Sequence, residues 1–387
     1  MIMNNLKIIY NIIVTLIKIK IMKINILLPF KEKFDKQKAS SVSITVSNNM
    51  HYSNYLKDIL VFGQQTVDPL FPGNFVGINY SIFSFKSKNN YLADHLSKNV
   101  IKTNDENQLI EVHNRPYLVK RIKKKVKSCP ISLFLHNNPK EMKGAKTVKE
   151  REELILKCEA IFCVSKFIKK QFLDGINKNI EKIHVLYNGV DRKQKKIPKK
   201  KKEVLFVGRI VEEKGVEIYV NTISSIAQKF PDWTFNLIGS SKLGEIDHNS
   251  FFANKIKKNF KKIGTQANYY GFKNKNFVDD KMKSASIIII PSLWEEPFGL
   301  VAAEAMSYGA AIIASNRGAL SEIIGNNGVL IDKIDYKKLK SALTNLLSNK
   351  SQRVFFQKKS WKNFNFSSIT SSEKLDSFRK AIFQKYY

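Results

Sequence analysis

The chain has 387 residues, enough to bury the cores of two domains. It carries 66 Lys and Arg against 33 Asp and Glu, a formal charge of +33 contributed mostly by lysine in a chain rich in Ile, Asn and Phe. AT-rich coding sequence yields that composition by itself, so the charge suits anionic surfaces (nucleic acid, acidic lipid, phosphorylated glycans) without naming one. Cys129, Cys158 and Cys163 lack CxxC spacing and lie in apolar sequence, which excludes a disulfide framework or thiolate metal site and reads as reduced core thiols of a cytoplasmic protein.

In chain order, residues 1–21 come first, with the ten uncharged residues IIYNIIVTLI between Lys7 and Lys18. That is half the length of a membrane span, and no small-residue cleavage site follows. The segment reads as an extension from a misassigned start, an interfacial anchor or a spanning helix, in that order of preference. Residues 22–191 read as one domain. Ile24 to Pro29 is its first strand, and KEKFDKQKASSVSI is a loop leading into a helix, where Ser40 and Ser41 are either helix-capping residues or hydroxyl donors to a ligand. LIEVHNRP places His113, Asn114 and Arg115 after a strand, and SLFLHNNPK places His136 after another. IFCVSKFIKKQF then supplies a strand and a helix, and Asn188 to Asp191 form a turn.

The basic run RKQKKIPKKKK, 192–202, reads as a solvated linker, because a nucleic-acid tract would interleave aromatics or sit on a recognition helix. Residues 203–359 read as a second alternating strand and helix domain. Its first strand, VLFV, is followed by Gly208, Arg209, Lys214 and Gly215, so that a guanidinium and an ammonium can converge on one diphosphate. Four isoleucines, Ile287 to Ile290, fit a strand buried on both faces. The loop after them carries Trp294, Glu295, Glu296, Pro297, Phe298 and Gly299, and an Ala-rich helix runs from about Leu300 to Gly309. Its N-terminal amides, near Leu300 and Val301, can receive a phosphate that Gly299 lets approach. Glu304 lies ~7 Å further along the axis at ~1.5 Å per residue. This is the outline of a nucleotide-sugar site. AAIIASNRGALSEII adds a further strand and turn, and 360–387 ends in an amphipathic helix.

Glu296 and Glu304 are separated by seven residues around a Pro-Phe-Gly turn, inside PS-x-WEEPFG-x-V-x-x-EAM. At these residues, at Arg-x4-Lys after Gly208 and at the Asn188–Asp191 turn, the chain resembles the family 4 retaining glycosyltransferases. The resemblance implies a GT-B fold, two Rossmann-like α/β domains facing a deep cleft, with the final helix packing back on the first domain. It implies transfer from a nucleotide diphosphate sugar, with no metal and no other cofactor, to a glycan or glycolipid hydroxyl. Arg209 and Lys214 would clamp the diphosphate, Glu304 would bind the ribose, and Glu296 would orient the sugar without being assigned as a nucleophile. Phe298, Gly299, Leu300 and Val301 would supply the donor-binding turn, and His136 would face the sugar from the first domain. In the family the loop at this position is usually glycine-rich; here Ala39-Ser40-Ser41 stands in its place, which weakens the implied backbone contact to phosphate, and these serines and Arg115 are acceptor-side candidates. Synthesis of cell-surface polysaccharide or lipopolysaccharide is the expected setting, at the cytoplasmic side of a membrane whose anionic surface the charge suits. No specific nucleic acid is expected. A sugar-nucleotide 2-epimerase, a basic nucleic-acid binder and a non-catalytic glycan binder are the alternatives.

Overall fold

The computed structural model describes residues 22–103, 107–241 and 250–386; the readings made for residues 1–21 lie outside it. Among the described residues, two all-parallel sheets form, each the core of a Rossmann-like domain of the GT-B fold. The first contains β1 (Lys23–Leu27), β2 (Ile59–Gln64), β3 (Phe75–Ile78), β4 (Gln108–His113), β5 (Ile131–Leu135), β6 (Ala160–Cys163) and β7 (Ile183–Val185), in the order β3-β2-β1-β4-β5-β6-β7. The second contains β8 (Lys201–Val207), β9 (Thr234–Ile238), β10 (Ala267–Gly271), β11 (Ala285–Ile290), β12 (Ala311–Ser315) and β13 (Val329–Ile331), in the order β10-β9-β8-β11-β12-β13. In both sheets the order reverses beside the first strand, between β1 and β4 and between β8 and β11. Ligands of such sheets sit at that crevice, beyond the carboxyl ends of the strands.

The isoleucine run of β11 shows why its sequence lacks alternation. Ile287 and Ile289 enter one core, with the helices Val216–Ile226 and Tyr336–Ser348, while Ile288 and Ile290 enter the other, with Leu300–Ser307 and Leu320–Ile324. Both faces are covered, so every position is apolar.

The chain crosses back to the first domain after the helix Lys350–Lys362, which straddles the boundary placed at residue 360. Ser368–Tyr386 then packs Leu375 and Ile382 on Leu109, Phe134, Ala160 and Phe162. A buried ion cluster fixes it: Arg379 donates Nε and Nη2 to the Glu111 carboxylate of β4 at 2.8 and 2.9 Å, and Nη1 to Asp376 at 3.0 Å.

The basic run is exposed at Lys193, Lys195, Lys196, Lys199, Lys201 and Lys202, but two of its cations are held by the protein. β8 already begins at Lys201. Lys200 is inserted between carbonyls, donating to Lys283 O at 2.9 Å and Met282 O at 3.3 Å, and burial lowers its ammonium to about 7. Arg192 lies over the rings of Trp361 and Phe364, 4.1 and 4.5 Å from their centroids, and donates to Trp361 O. Flanking the domain crossing, these groups are held by carbonyls and rings that residue type alone does not reveal.

Candidate functional site

The crevice between β8 and β11 gathers most of the second-domain candidates. β8 ends at Val207 and leads through Gly208 and Arg209 to a short turn, Glu212–Lys214, closed by Gly215 with φ +66°. A Cβ on Gly215 would stand 1.9 Å from Pro291 O, so this glycine lets the two strand-end loops meet. Leu293 N–H donates to Glu213 O at 2.8 Å and fastens the same junction. Lys214 Nζ therefore reaches Glu296 Oε1 at 2.6 Å, although the two are 82 positions apart. Ser292 Oγ donates to the same oxygen at 2.7 Å, and the Lys214 ammonium lies 4.8 Å from the centroid of the Trp294 ring. Glu296 is 8% exposed, so its carboxylate is nearly dry and held by one charge and one hydroxyl. Arg209, in the same loop, is half-exposed and paired with Glu213.

The turn after Glu296 is built from its backbone. Gly299 caps the helix Leu300–Ser307 with φ +89°, and a Cβ there would come 2.7 Å from Leu320 Cδ2. The glycine is thus demanded by positive φ and by packing, a different reason from the phosphate approach read in the sequence. The first intrahelical donors are Ala302 and Ala303, both to Gly299 O, which leaves the Leu300 and Val301 amides ahead of the ladder. Phe298 is buried against Tyr187 and Phe366, at the domain junction. Gly318, with φ +57°, lies against this turn: a Cβ would meet Glu296 O at 2.3 Å, and Ala319 N–H donates to that oxygen at 2.7 Å.

Glu304 has a partner that sequence reasoning missed. Lys275 Nζ stands 3.2 Å from Glu304 Oε1 and is also paired with Asp279. Burial raises the Glu304 carboxyl above its ordinary value, and Lys275 pulls the other way. Burial opposes the Lys275 charge, but the Glu304 and Asp279 carboxylates together raise its pKa. Lys275 opens a separate helix, Lys275–Ser284, and no spacing in the chain points from it to Glu304.

On the first domain, β4 and β5 deliver a histidine pair. His113 Nδ1 and His136 Nε2 are 2.9 Å apart, and the His113 ring stacks on Phe134 at 4.3 Å between centroids. Both imidazoles are buried. Burial holds His136 down at about 4 and His113 well below its ordinary value, with the neighbouring His136 ring and the Arg379 guanidinium adding to the effect at His113. His113, placed in the sequence only as a strand-end histidine, is therefore the direct partner of His136. Asn114, with φ +54°, accepts the His136 N–H on its side-chain oxygen at 3.2 Å, and its own carbonyl accepts from Arg115 Nη1 at 2.7 Å. Ser40 is engaged as the N-cap of Ser41–His51, accepting Ser43 N–H at 3.2 Å, whereas Ser41 is exposed.

The domains meet beside the donor-side turn. Ser165 Oγ donates to Pro297 O at 2.6 Å while capping the helix Lys166–Leu173, and Glu322 accepts the Lys166 and Phe167 amides at 2.8 and 3.1 Å. The turn bearing Glu296 is thus tied to the first domain through its neighbour.

Comparison with solved structures places the whole frame. HepE of Anabaena, in complex with UDP and glucose, superposes with a TM-score of 0.70 over 93% of this chain and 100% of that one, at 17% identity. A glycosyltransferase from Rickettsia africae gives 0.72 over 93% and 98%, at 18% identity. Among curated proteins, an uncharacterised glycosyltransferase of Methanocaldococcus jannaschii is 34% identical over 197 residues, 50% of this chain and 51% of that protein, so the chain spans about half the length of that relative. The lipopolysaccharide 1,2-N-acetylglucosaminetransferase of Salmonella typhimurium is 22% identical over 283 residues, 67% of this chain and 71% of that one. Residues 189–362, which hold Arg209, Lys214, Glu296 and Glu304, match the family model of the glycosyl transferases group 1.

Proposed function

We propose that the protein is a retaining glycosyltransferase that moves a sugar from a nucleotide diphosphate sugar to a glycan or glycolipid hydroxyl, in synthesis of cell-surface polysaccharide or lipopolysaccharide. One contact carries this reading: the 2.6 Å pair of Lys214 and Glu296, assembled from two strand ends at the switch point of the second sheet. A cation there can meet a diphosphate, and the carboxylate beside it can meet the sugar that the diphosphate bears. The UDP found in HepE and the sugar transfer named for the Salmonella relative support a nucleotide-sugar donor.

In the reaction the bond from the sugar C1 to the diphosphate breaks, its electron pair going to the diphosphate oxygen, as the acceptor oxygen bonds to C1 and passes its proton to that departing oxygen. Negative charge gathers on the leaving diphosphate. Arg209, Lys214 and the amides of Leu300 and Val301 stabilise it, electrostatic work that needs neither a metal nor another cofactor. Glu304, steadied by Lys275, accepts from the ribose hydroxyls. Glu296 orients the sugar, with Phe298 and Gly299 shaping the turn. His136 contacts the sugar from the first domain as a neutral ring, since burial holds it uncharged near pH 7. Arg115 and the exposed Ser41 serve the acceptor side; Ser40 is committed to its helix. The protein works at the cytoplasmic side of a membrane, without a specific nucleic-acid partner.

The test is release of free nucleotide from a panel of UDP-, GDP- and ADP-sugars, with glycan and glycolipid acceptors supplied. Release with one donor class, lost in a folded Arg209→Ala/Lys214→Ala variant, is the expected result. Unchanged release in that variant would remove this site from the reaction.

A further inference from the structure

Three loops at the carboxyl ends of β1, β2 and β3 form one rigid apex at the edge of the first sheet. Lys36 N–H donates to Asp68 O at 2.9 Å, Leu70 N–H donates to Phe34 O at 3.2 Å, and Asp35 and Pro69 form an antiparallel bridge, which zips the first loop to the second. The first and third loops are joined by the rings of Phe30 and Tyr80, 6.0 Å between centroids, with the Lys88 ammonium 5.0 and 5.7 Å from them. Tyr80 also closes the third loop on itself, its hydroxyl placed 2.6 Å from Lys86 O and 3.1 Å from Ser84 O.

What this frame holds outward is apolar. Ile82 and Phe83 are each 85% exposed, and Val67 and Phe85 are completely so. Single exposed apolar residues are ordinary, but Ile82, Phe83 and Phe85 stand within four positions of one loop, and Val67 lies on the loop after the neighbouring strand. The same loops, with the helix that follows the third, carry Lys31, Lys33, Lys36, Lys38, Lys86 and Lys88 against the carboxylates of Glu32, Asp35, Asp68 and Asp94, with Lys36 paired to Asp68 and Lys86 to Asp94. Lys86 extends the positive rim further, because it shares Asp94 with Arg121 and Lys125 of the helix Tyr117–Lys125.

We infer that this apex docks on an anionic lipid surface, with Ile82, Phe83, Phe85 and Val67 entering the headgroup and acyl boundary and the lysines lying against acidic headgroups. Protruding aromatic and aliphatic tips ringed by cations match a bilayer interface, where apolar burial and attraction to acidic lipid act together. The shape fits a penetrable medium better than a flat protein face, and the charge fits an acidic one. The same end of the sheet carries Ser41, so docking brings the acceptor side of the first domain to the lipid. The inference rests on the reading of the acceptor as membrane-borne, and lipid binding and sugar transfer are measured separately.

The experiment sediments the full chain with phosphatidylcholine vesicles, with and without phosphatidylglycerol. The overall charge alone will draw the protein to acidic vesicles, so the decisive comparison is Phe83→Ser/Phe85→Ser against Phe251→Ser, which removes an 87% exposed aromatic from the second domain. The double variant is expected to partition about tenfold less or weaker still, from the lost apolar burial, and Phe251→Ser to match the parent. A Phe85→Cys variant gives an independent readout: the three native thiols are buried, so an environment-sensitive dye labels this position, and its emission is expected to shift to the blue on acidic vesicles. Equal partition of the double variant, or a dye that stays in water on vesicles that carry the protein, would overturn the inference in favour of charge alone or a protein partner. Absence of binding to acidic vesicles would overturn it outright. Nucleotide release with a soluble acceptor is expected to be unchanged in the double variant; failure of release in the parent would count against the proposed activity and leave the vesicle result standing.

Discussion

Removing Lys214 distinguishes two ways in which it can act. Its ammonium is 2.6 Å from Glu296 Oε1, with side-chain exposures of 20% and 10%, so the pair is half-sheltered and each charge depends on the other. If Lys214 also stabilises the leaving diphosphate, Lys214→Ala should lower kcat by about 10²–10³, or ~3–4 kcal/mol, the scale of one preorganised electrostatic donor. Glu296→Gln keeps the Ser292 hydroxyl as a donor but loses the charge proposed to orient the sugar. The double variant should then fall below either single one, by less than the product of the two losses, since the shared ion pair is removed only once; coupling of about 1–2 kcal/mol is expected for residues in direct contact. Initial rates with saturating donor, on variants whose thermal unfolding matches the parent, provide the cycle. A double variant no slower than Glu296→Gln would mean that the lysine acts wholly through Glu296, and the diphosphate clamp would lose one of its two cations.

Acid should weaken the first domain through the histidine pair. Their pKa values are depressed, so above pH 6.5 both folded and unfolded rings are neutral; as the pH falls towards 4, only the unfolded rings take up protons and stability declines. By pH 5 the loss through His136 is about 2 kcal/mol, with His113 adding in the same direction, and urea unfolding of His113→Phe/His136→Asn should show a drop between pH 7.5 and pH 5 that is smaller by at least that amount. An identical drop in the variant would place the protons elsewhere. Arg379→Met leaves the Glu111 carboxylate buried without its bidentate partner, and should cost about 3–5 kcal/mol. Adding Glu111→Met should restore most of that, as read by chemical unfolding; a double variant as unstable as the single one would show that shape, not charge, holds the C-terminal helix.

The sequence showed most clearly those features whose signal is local. Ile287–Ile290 announced a strand covered on both faces because each residue must be apolar there, and the two cores do take them alternately. Gly215, Gly299 and Gly318 marked turns because positive φ and close backbone approach leave room for nothing larger. What stayed hidden depends on contacts between distant elements. Lys275 meets Glu304 across two helices, Arg379 meets Glu111 across 268 positions, and Ser165 meets Pro297 across the domain junction. His113 was visible as a strand-end histidine, but its pairing with His136 follows from the register of β4 on β5, which places His113 opposite Phe134. Within the basic run the exceptions were hidden for a related reason: most of its lysines are exposed, while Lys200 finds backbone carbonyls that its residue type does not announce.

The central claim is that a nucleotide diphosphate caps the helix Leu300–Ser307, with its ribose towards Glu304 and its sugar towards Glu296. Calorimetric titration with free UDP, beside initial rates with the intact donor, tests it most directly. Glu304→Gln weakens a charge-assisted bond to the ribose and should raise the dissociation constant for UDP as well as for the donor. Glu296→Gln should leave UDP affinity nearly unchanged and lower kcat. Loss of UDP binding in Glu296→Gln, with full binding in Glu304→Gln, would reverse the donor in the site and contradict the account.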